Sequence, residues 1–269
     1  MSCSCGHHHP GRPHDAAADG LPVPLARPMV EIQGRLTCPD AAQMMMVLDL
    51  LPRHADLSRA EPGCLRFDVW QDDDPLVWHL AELFRDGDAF AAHQRRTGDS
   101  DWARESGGLQ RDIQRREAMP VIRPETRADH DAIDALHRAA FGSQAEARLV
   151  RDLRAAGDLS LSLVAVAGGA VLGHLALSPL TGDQPAMALA PLAVAPGAQG
   201  LGIGGALIGA VFDRAATTPI VVLGDPAYYG RFGFRPADLR SAHAGPHLQV
   251  LGDLPAGTAI HHAPAFDAL

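Results

Sequence analysis

Six residues, Gln199-Gly200-Leu201-Gly202-Ile203-Gly204, run directly into an apolar stretch from Gly205 to Ala215 that reads as a helix. A glycine-rich turn opening a helix aims several backbone N–H groups, reinforced by the helix dipole, at one point where an anion is stabilised. Glycine suits the turn because a Cβ would keep a phosphate away from the backbone. The string Gly200 to Gly205 also spells a G-x-G-x-G-G pattern that could pass for a dinucleotide fingerprint. That fingerprint belongs after the first strand of a βαβ repeat, whereas the strands ahead of it here read as a hairpin.

A second group of chemically capable residues follows, in Tyr228-Tyr229-Gly230-Arg231-Phe232-Gly233-Phe234, after the strand-like Ile220 to Leu223 and an Asp225-Pro226 helix start. A tyrosine hydroxyl can hold a proton for a leaving group. Other chemistries are closed off. All 23 cationic residues are Arg and none is Lys, which removes a Walker A phosphate loop and a pyridoxal Schiff base. The formal charge of −9 argues against a nucleic-acid partner. The longest apolar run, Ala186 to Ala195, is about half of the ~20 residues a membrane span needs and is broken by Pro191. The opening Met-Ser-Cys-Ser-Cys-Gly-His-His-His has no apolar signal-peptide core, so a cytoplasmic location is expected. The four cysteines make no disulfide framework and are expected to be reduced thiols.

The elements that must position these groups divide the chain in three. Residues 1–28 have no helical or strand period and are expected to form a disordered tail. Cys3, Cys5, His7, His8, His9 and His14 lie in it, but Cys-Ser-Cys fits no ordinary structural zinc motif, so no metal site is predicted. From Met29 the order is strand (Val30 to Thr37), helix opened by Pro39, a Glu61-Pro62-Gly63 turn, strand (Leu65 to Trp70), strand (Leu76 to Phe84), helix capped by Asp86, and strand (Leu109 to Arg115). This βαββαβ order predicts a ferredoxin-like domain over 29–118. Met119-Pro120 breaks the periodicity, and a second α+β domain spans 119–269. It has two amphipathic helices, the second opened by a Ser143/Glu146 capping box, then a Leu161 to Leu177 hairpin around Gly168-Gly169 and an apolar strand from Met187 to Val194.

Residues 30 to 117 resemble the antibiotic-biosynthesis-monooxygenase (ABM) family in three places: Glu61 to Cys64, the Leu-x-Glu-x-Phe strand Leu80 to Phe84, and Ala89 to His93. The resemblance implies a dimeric α+β barrel with a small cavity, in which His93 is a candidate base. The second domain resembles the GNAT superfamily of acyltransferases through Val194-Ala195-Pro196 followed by Gln199 to Gly204, and through the Tyr-x-x-x-Gly-Phe signature beginning at Tyr229. The string Leu223 to Phe234, with Pro191 to Val194, is similar to its YhbS-like branch of N-acetyltransferases. That resemblance implies a mixed, mostly antiparallel sheet with helices on both faces and acetyl-CoA as acyl donor. It implies that Gln199, Gly200, Leu201, Gly202, Ile203 and Gly204 hold the pyrophosphate, and that Leu192, Ala193 and Val194 hold the pantetheine. It makes Tyr229 the general acid and Glu146 the candidate base. The function expected is transfer of an acetyl group to an amine on a small molecule or protein, by a homodimer joined through the ABM-like domain. The alternative is a cofactor-independent oxygenase in the first domain, with a GNAT domain that only senses acyl-CoA.

Overall fold

The computed structural model of the chain describes residues 20–215 and 218–268. Its elements in order are β1 (Leu21–Pro22), β2 (Met29–Thr37), α1 (Ala41–Arg59), β3 (Cys64–Gln71), β4 (Val77–Phe84), α2 (Gly87–Gly98), α3 (Asp101–Glu105) and β5 (Gln110–Ala118). There follow β6 (Val121–Pro124), α4 (His130–Phe141), α5 (Ala145–Ala156), β7 (Leu161–Ala167), β8 (Ala170–Gly182), β9 (Ala186–Val194) and α6 (Ile203–Ala215). The chain closes with β10 (Ile220–Leu223), α7 (Pro226–Tyr229), β11 (Arg235–Pro236), β12 (Leu248–Leu251) and β13 (Ile260–His261).

The first domain is the expected ferredoxin-like unit. Its four strands lie in the order β3-β4-β2-β5, all antiparallel. Alternation sends Val30, Ile32, Leu36, Leu80 and Phe84 to the face covered by α1 to α3, where they form one core with Val47, Leu51 and Trp102. Asp40, not Pro39, caps α1 by accepting from the Gln43 N–H, because Pro39 offers no acceptor side chain. Asp86 caps α2 the same way, through the Ala89 N–H.

The second domain has a long mixed sheet in the order β1-β6-β7-β8-β9-β10-β12-β11, with β13 on the far end of β8. Every pairing is antiparallel except β9 with β10. Helix α6 packs on one face with Leu175, Leu177, Leu189, Ile220 and Val222. The other face packs Leu180, Ala188, Val221 and Val250 against Leu149 and Leu153 of α5.

Two expectations are corrected. Residues 20–28 are not all tail: Leu21 and Pro22 pair with Ile122 and Val121, and Val23 is 1% exposed with its N–H on the Pro120 carbonyl. A short strand with one apolar anchor covers an otherwise open sheet edge, which composition alone does not reveal. The tail cysteines and histidines up to His14 lie outside the described residues. The Ser143/Glu146 capping box does not form either. Gln144 takes the N-cap position, so Ser143 sits one residue outside the helix, accepts from the Ala145 N–H and donates its hydroxyl to Glu146 Oε2 (2.7 Å).

Candidate functional site

The parallel contact of β9 and β10 joins only Met187 to Ile220 and Ala188 to Val221. Beyond it β9 continues beside β8 alone, through an irregular register between Leu177/Leu189 and Leu175/Leu192. The two strands that part in this way leave a gap in the sheet. At its open end lies a cavity of about 540 Å³, lined by Leu192 and Val194 of β9, by Ala198, Gln199, Gly200, Gly202, Ile203, Gly204 and Gly205, and by Tyr228, Tyr229, Arg231 and Phe232.

Its floor is the start of α6. Gly200 (φ 79°) and Gly202 (φ 85°) take left-handed conformations that side-chained residues rarely adopt, and a Cβ on either would meet only open space. These two glycines are there for backbone shape. Gly204 is there for room, since a Cβ on it would stand 2.5 Å from the Tyr228 hydroxyl. The Gln199 side chain donates to the Val194 carbonyl (3.3 Å) and ties the loop back to the strand. The first turn of α6 has backbone N–H groups that no helical carbonyl can satisfy, which is what makes a helix start able to hold an anion. This backbone cradle, open where a phosphate would sit and closed to a Cβ at Gly204, suits a diphosphate-bearing ligand.

Seven of the nine residues expected to hold the cofactor line this cavity. Ala193 does not, because it alternates to the other face, pairs with His174 and is 2% exposed. Leu201 is half-buried and packs into the core beside the loop. Tyr229 lines the cavity with its ring edge-on to Tyr228 (5.1 Å) and Phe234 (5.5 Å). Burial pushes its hydroxyl pKa well above the ordinary tyrosine value, so it keeps its proton at neutral pH. Tyr228 is shifted the same way, also by burial. Glu146, half-buried in the first turn of α5, is not among the lining residues.

Arg231 is the residue the motif reading passed over. Among the described residues it is the one charged side chain lining the cavity. Its guanidinium lies over the Tyr228 ring (4.6 Å) and its Nε donates to the Tyr228 carbonyl (3.2 Å). A signal was present, because Arg231 is the only cation between Leu223 and Phe234.

The first domain has its own hollow of about 470 Å³, between α1 and the α2–α3 corner, lined by Leu50, Arg53, His54, Leu57, Arg96 and Trp102 among others. His93 is not in its lining. It is 6% exposed, packed against Phe84 (4.8 Å), with Nδ1 hydrogen-bonded to Glu61 Oε2 (2.9 Å). Arg96 completes the cluster, donating to Glu61 Oε1 (2.7 Å), Ser58 Oγ (2.6 Å) and His54 Nδ1 (3.2 Å).

The chain's likeness to known proteins falls on the same two units. Residues 29–104 match the antibiotic biosynthesis monooxygenase family model, and residues 130–234 match that of the acetyltransferase (GNAT) family. The uncharacterized N-acetyltransferase YhbS of Escherichia coli (strain K12) is 42% identical over 135 residues, which cover 46% of this chain and 81% of that protein. The chain belongs to the GNAT family of N-acetyltransferases. A second GNAT relative, the uncharacterized N-acetyltransferase YjhQ of the same strain, is 34% identical over 131 residues, or 45% of this chain and 72% of that one. Among solved structures, the E. coli GNAT family N-acetyltransferase YhbS in complex with CoA aligns with a TM-score of 0.50 at 36% identity, covering 55% of this chain and 92% of that one. The GNAT domain thus has solved relatives, and the parted strands β9 and β10 lie inside the aligned family region.

Proposed function

We propose that the protein transfers an acetyl group from acetyl-CoA to an amine, with 29–118 and 119–269 acting as two domains of one enzyme. The observation that carries this reading is the cavity at the β9/β10 gap, where the glycine cradle, Arg231 and two tyrosines meet. The relative solved with CoA supports it. Acetyl-CoA supplies the acetyl group as an activated thioester.

The chain's own residues divide the remaining work. Backbone N–H groups from Gly200 to Gly204 would hold the diphosphate, with Arg231 adding the positive charge that backbone dipoles alone lack. Leu192 and Val194, free of a partner strand on the β10 side, would lie along the pantetheine arm. Tyr229 carries a proton at its hydroxyl, as a general acid for a sulfur leaving group must, while its burial makes that hydroxyl a weaker acid until a ligand changes its surroundings. Glu146 remains the proposed base, acting from the first turn of α5. A small-molecule or protein amine is the acceptor class this chemistry requires.

For the first domain we propose a homodimer contact through the sheet face opposite α1 and α2. That face carries Trp70 stacked on His79 (5.3 Å), with Gln33, Arg35, Asp112 and Gln114 around a hollow of about 240 Å³. An oxygenase in this domain has only the family match in its support, because His93 is enclosed by packing and ion pairs away from the hollow. The test of the main reading is calorimetric titration with acetyl-CoA on wild type and Gly202→Glu. Binding lost in a folded variant supports it, and a wild type that does not bind removes it.

A further inference from the structure

The phosphate loop is reached through the turn Pro196-Gly197-Ala198, and this turn rests on the other domain. A Cβ on Gly197 would stand 2.9 Å from Leu65 Cδ2 and 3.2 Å from the Pro62 carbonyl oxygen, so a side chain there would press first on Leu65 and then on the backbone of the 61–66 turn. Leu65 packs against the core cluster that contains Ala198, which leads into the loop, and Ile203, which lies within it. Met29 and Leu83 of the first domain are buried in that same cluster.

The supporting side is itself pinned. Glu61 is held by His93 Nδ1 and Arg96 Nε, the Gly63 carbonyl accepts from the Arg85 N–H (2.9 Å), and Arg66 Nη1 reaches across to the Gly168 carbonyl (2.5 Å). A loop with glycine at three of six positions is intrinsically soft, and ordering it around a ligand costs conformational entropy. A rigid neighbour that orders its entry beforehand lowers that cost.

We propose that the 61–66 turn of the ABM-like domain is a working part of the acyl-CoA site, with Leu65 a positioning residue that holds the 196–198 turn and so presets the Gln199 to Gly204 cradle. This rests on the acyl-CoA reading above, and it makes the first domain necessary for the second domain's affinity.

The experiment uses the full chain as wild type, Leu65→Ala, Leu65→Met, Gly197→Ala and the double variant Leu65→Ala/Gly197→Ala. Two readouts are taken: amide hydrogen exchange of 199–205 without ligand, and the acetyl-CoA dissociation constant. Leu65→Ala should speed exchange at 199–205 while leaving β7 and α4 protected, and should weaken binding about tenfold, with Leu65→Met close to wild type. Gly197→Ala should weaken binding alone and less so beside Leu65→Ala, where the clashing Cδ2 is gone. If Leu65→Ala does not fold, Gly197→Ala still reads the contact, because its substitution lies outside the first domain's core. Unchanged exchange at 199–205 in both single variants overturns the proposal. A wild type that fails to bind acetyl-CoA, with exchange still rising in Leu65→Ala, would leave the clamp standing and sink the acyl-CoA reading instead.

Discussion

The Tyr228 hydroxyl occupies the space a side chain on Gly204 would need, 2.5 Å from where its Cβ would lie. One end of the tyrosine pair is thereby fixed to the start of α6, while Tyr229 is fixed at Gly224, whose missing Cβ makes room for its ring. Gly204→Ala must displace the Tyr228 hydroxyl from its place against α6. Its acetyl-CoA affinity is expected to fall by about tenfold or more, and Tyr228→Ala in the same chain should recover part of the loss, measured by calorimetry.

The two tyrosines should separate kinetically. Tyr229→Phe keeps the packing on Gly224 and Phe234 but removes the proton, so turnover should drop on the order of a hundredfold with little change in KM. Tyr228→Phe should alter binding more than turnover. The reverse pattern would move the acid to Tyr228.

Arg231→Ala should weaken acetyl-CoA binding by about tenfold and flatten its dependence on ionic strength, because the variant cavity has no charged lining residue. Arg231→Lys should recover only part, since an ammonium cannot stack on Tyr228 as a planar guanidinium does. Titrations at low and high salt read both effects.

Glu146→Gln tests the proposed base. If Glu146 takes the acceptor's proton, the variant should lose turnover at neutral pH and recover part of it as rising pH deprotonates the acceptor amine, with acetyl-CoA affinity unchanged. A pH profile that overlays wild type would return Glu146 to its local bond with Ser143.

Acid should destabilise the fold in a definite window. Burial lowers the pKa of His54 to about 4, His137 to about 3 and His262 to about 4. Between about 6.5 and 4 the unfolded chain therefore binds protons that the folded chain refuses, and stability falls with pH by at most about 1.4 kcal/mol per unit for each such histidine, and by less for the partly exposed His262. Glu82 opposes this. Its pKa is raised to about 7, by burial first and Glu61 second, so between about 7 and 4.5 the folded chain binds the extra proton and gains stability as pH falls. Burial lowers the pKa of His93 and His174 as well, so five groups against one leave a net loss. The melting temperature should decline from pH 6.5 to 4, and Glu82→Gln should be more stable above pH 7 yet decline more steeply.

Much of this molecule was legible in the sequence because the signals are local. Alternation marked the strands, Asp86 and Asp225 are caps whose side chains accept from the N–H groups of Ala89 and Ala227, and the glycine-rich run marked a turn into a helix, although Gly200 and Gly202 serve left-handed backbone and not, as expected, the room a Cβ would take. The family motifs at 194–204 and 229–234 extended that reading to a site. What sequence could not supply depends on how distant segments meet. The alternation that turns Ala193 away from the cavity is shared with its neighbours, and only its pairing with His174 says which face is which. Arg231 became a site residue because α7 returns to the start of α6, and Val23 became core because β6 had an open edge. The approach of Leu65 to Gly197, across a domain boundary and more than a hundred residues of chain, follows from tertiary packing alone, since no periodicity or propensity acts over such a distance.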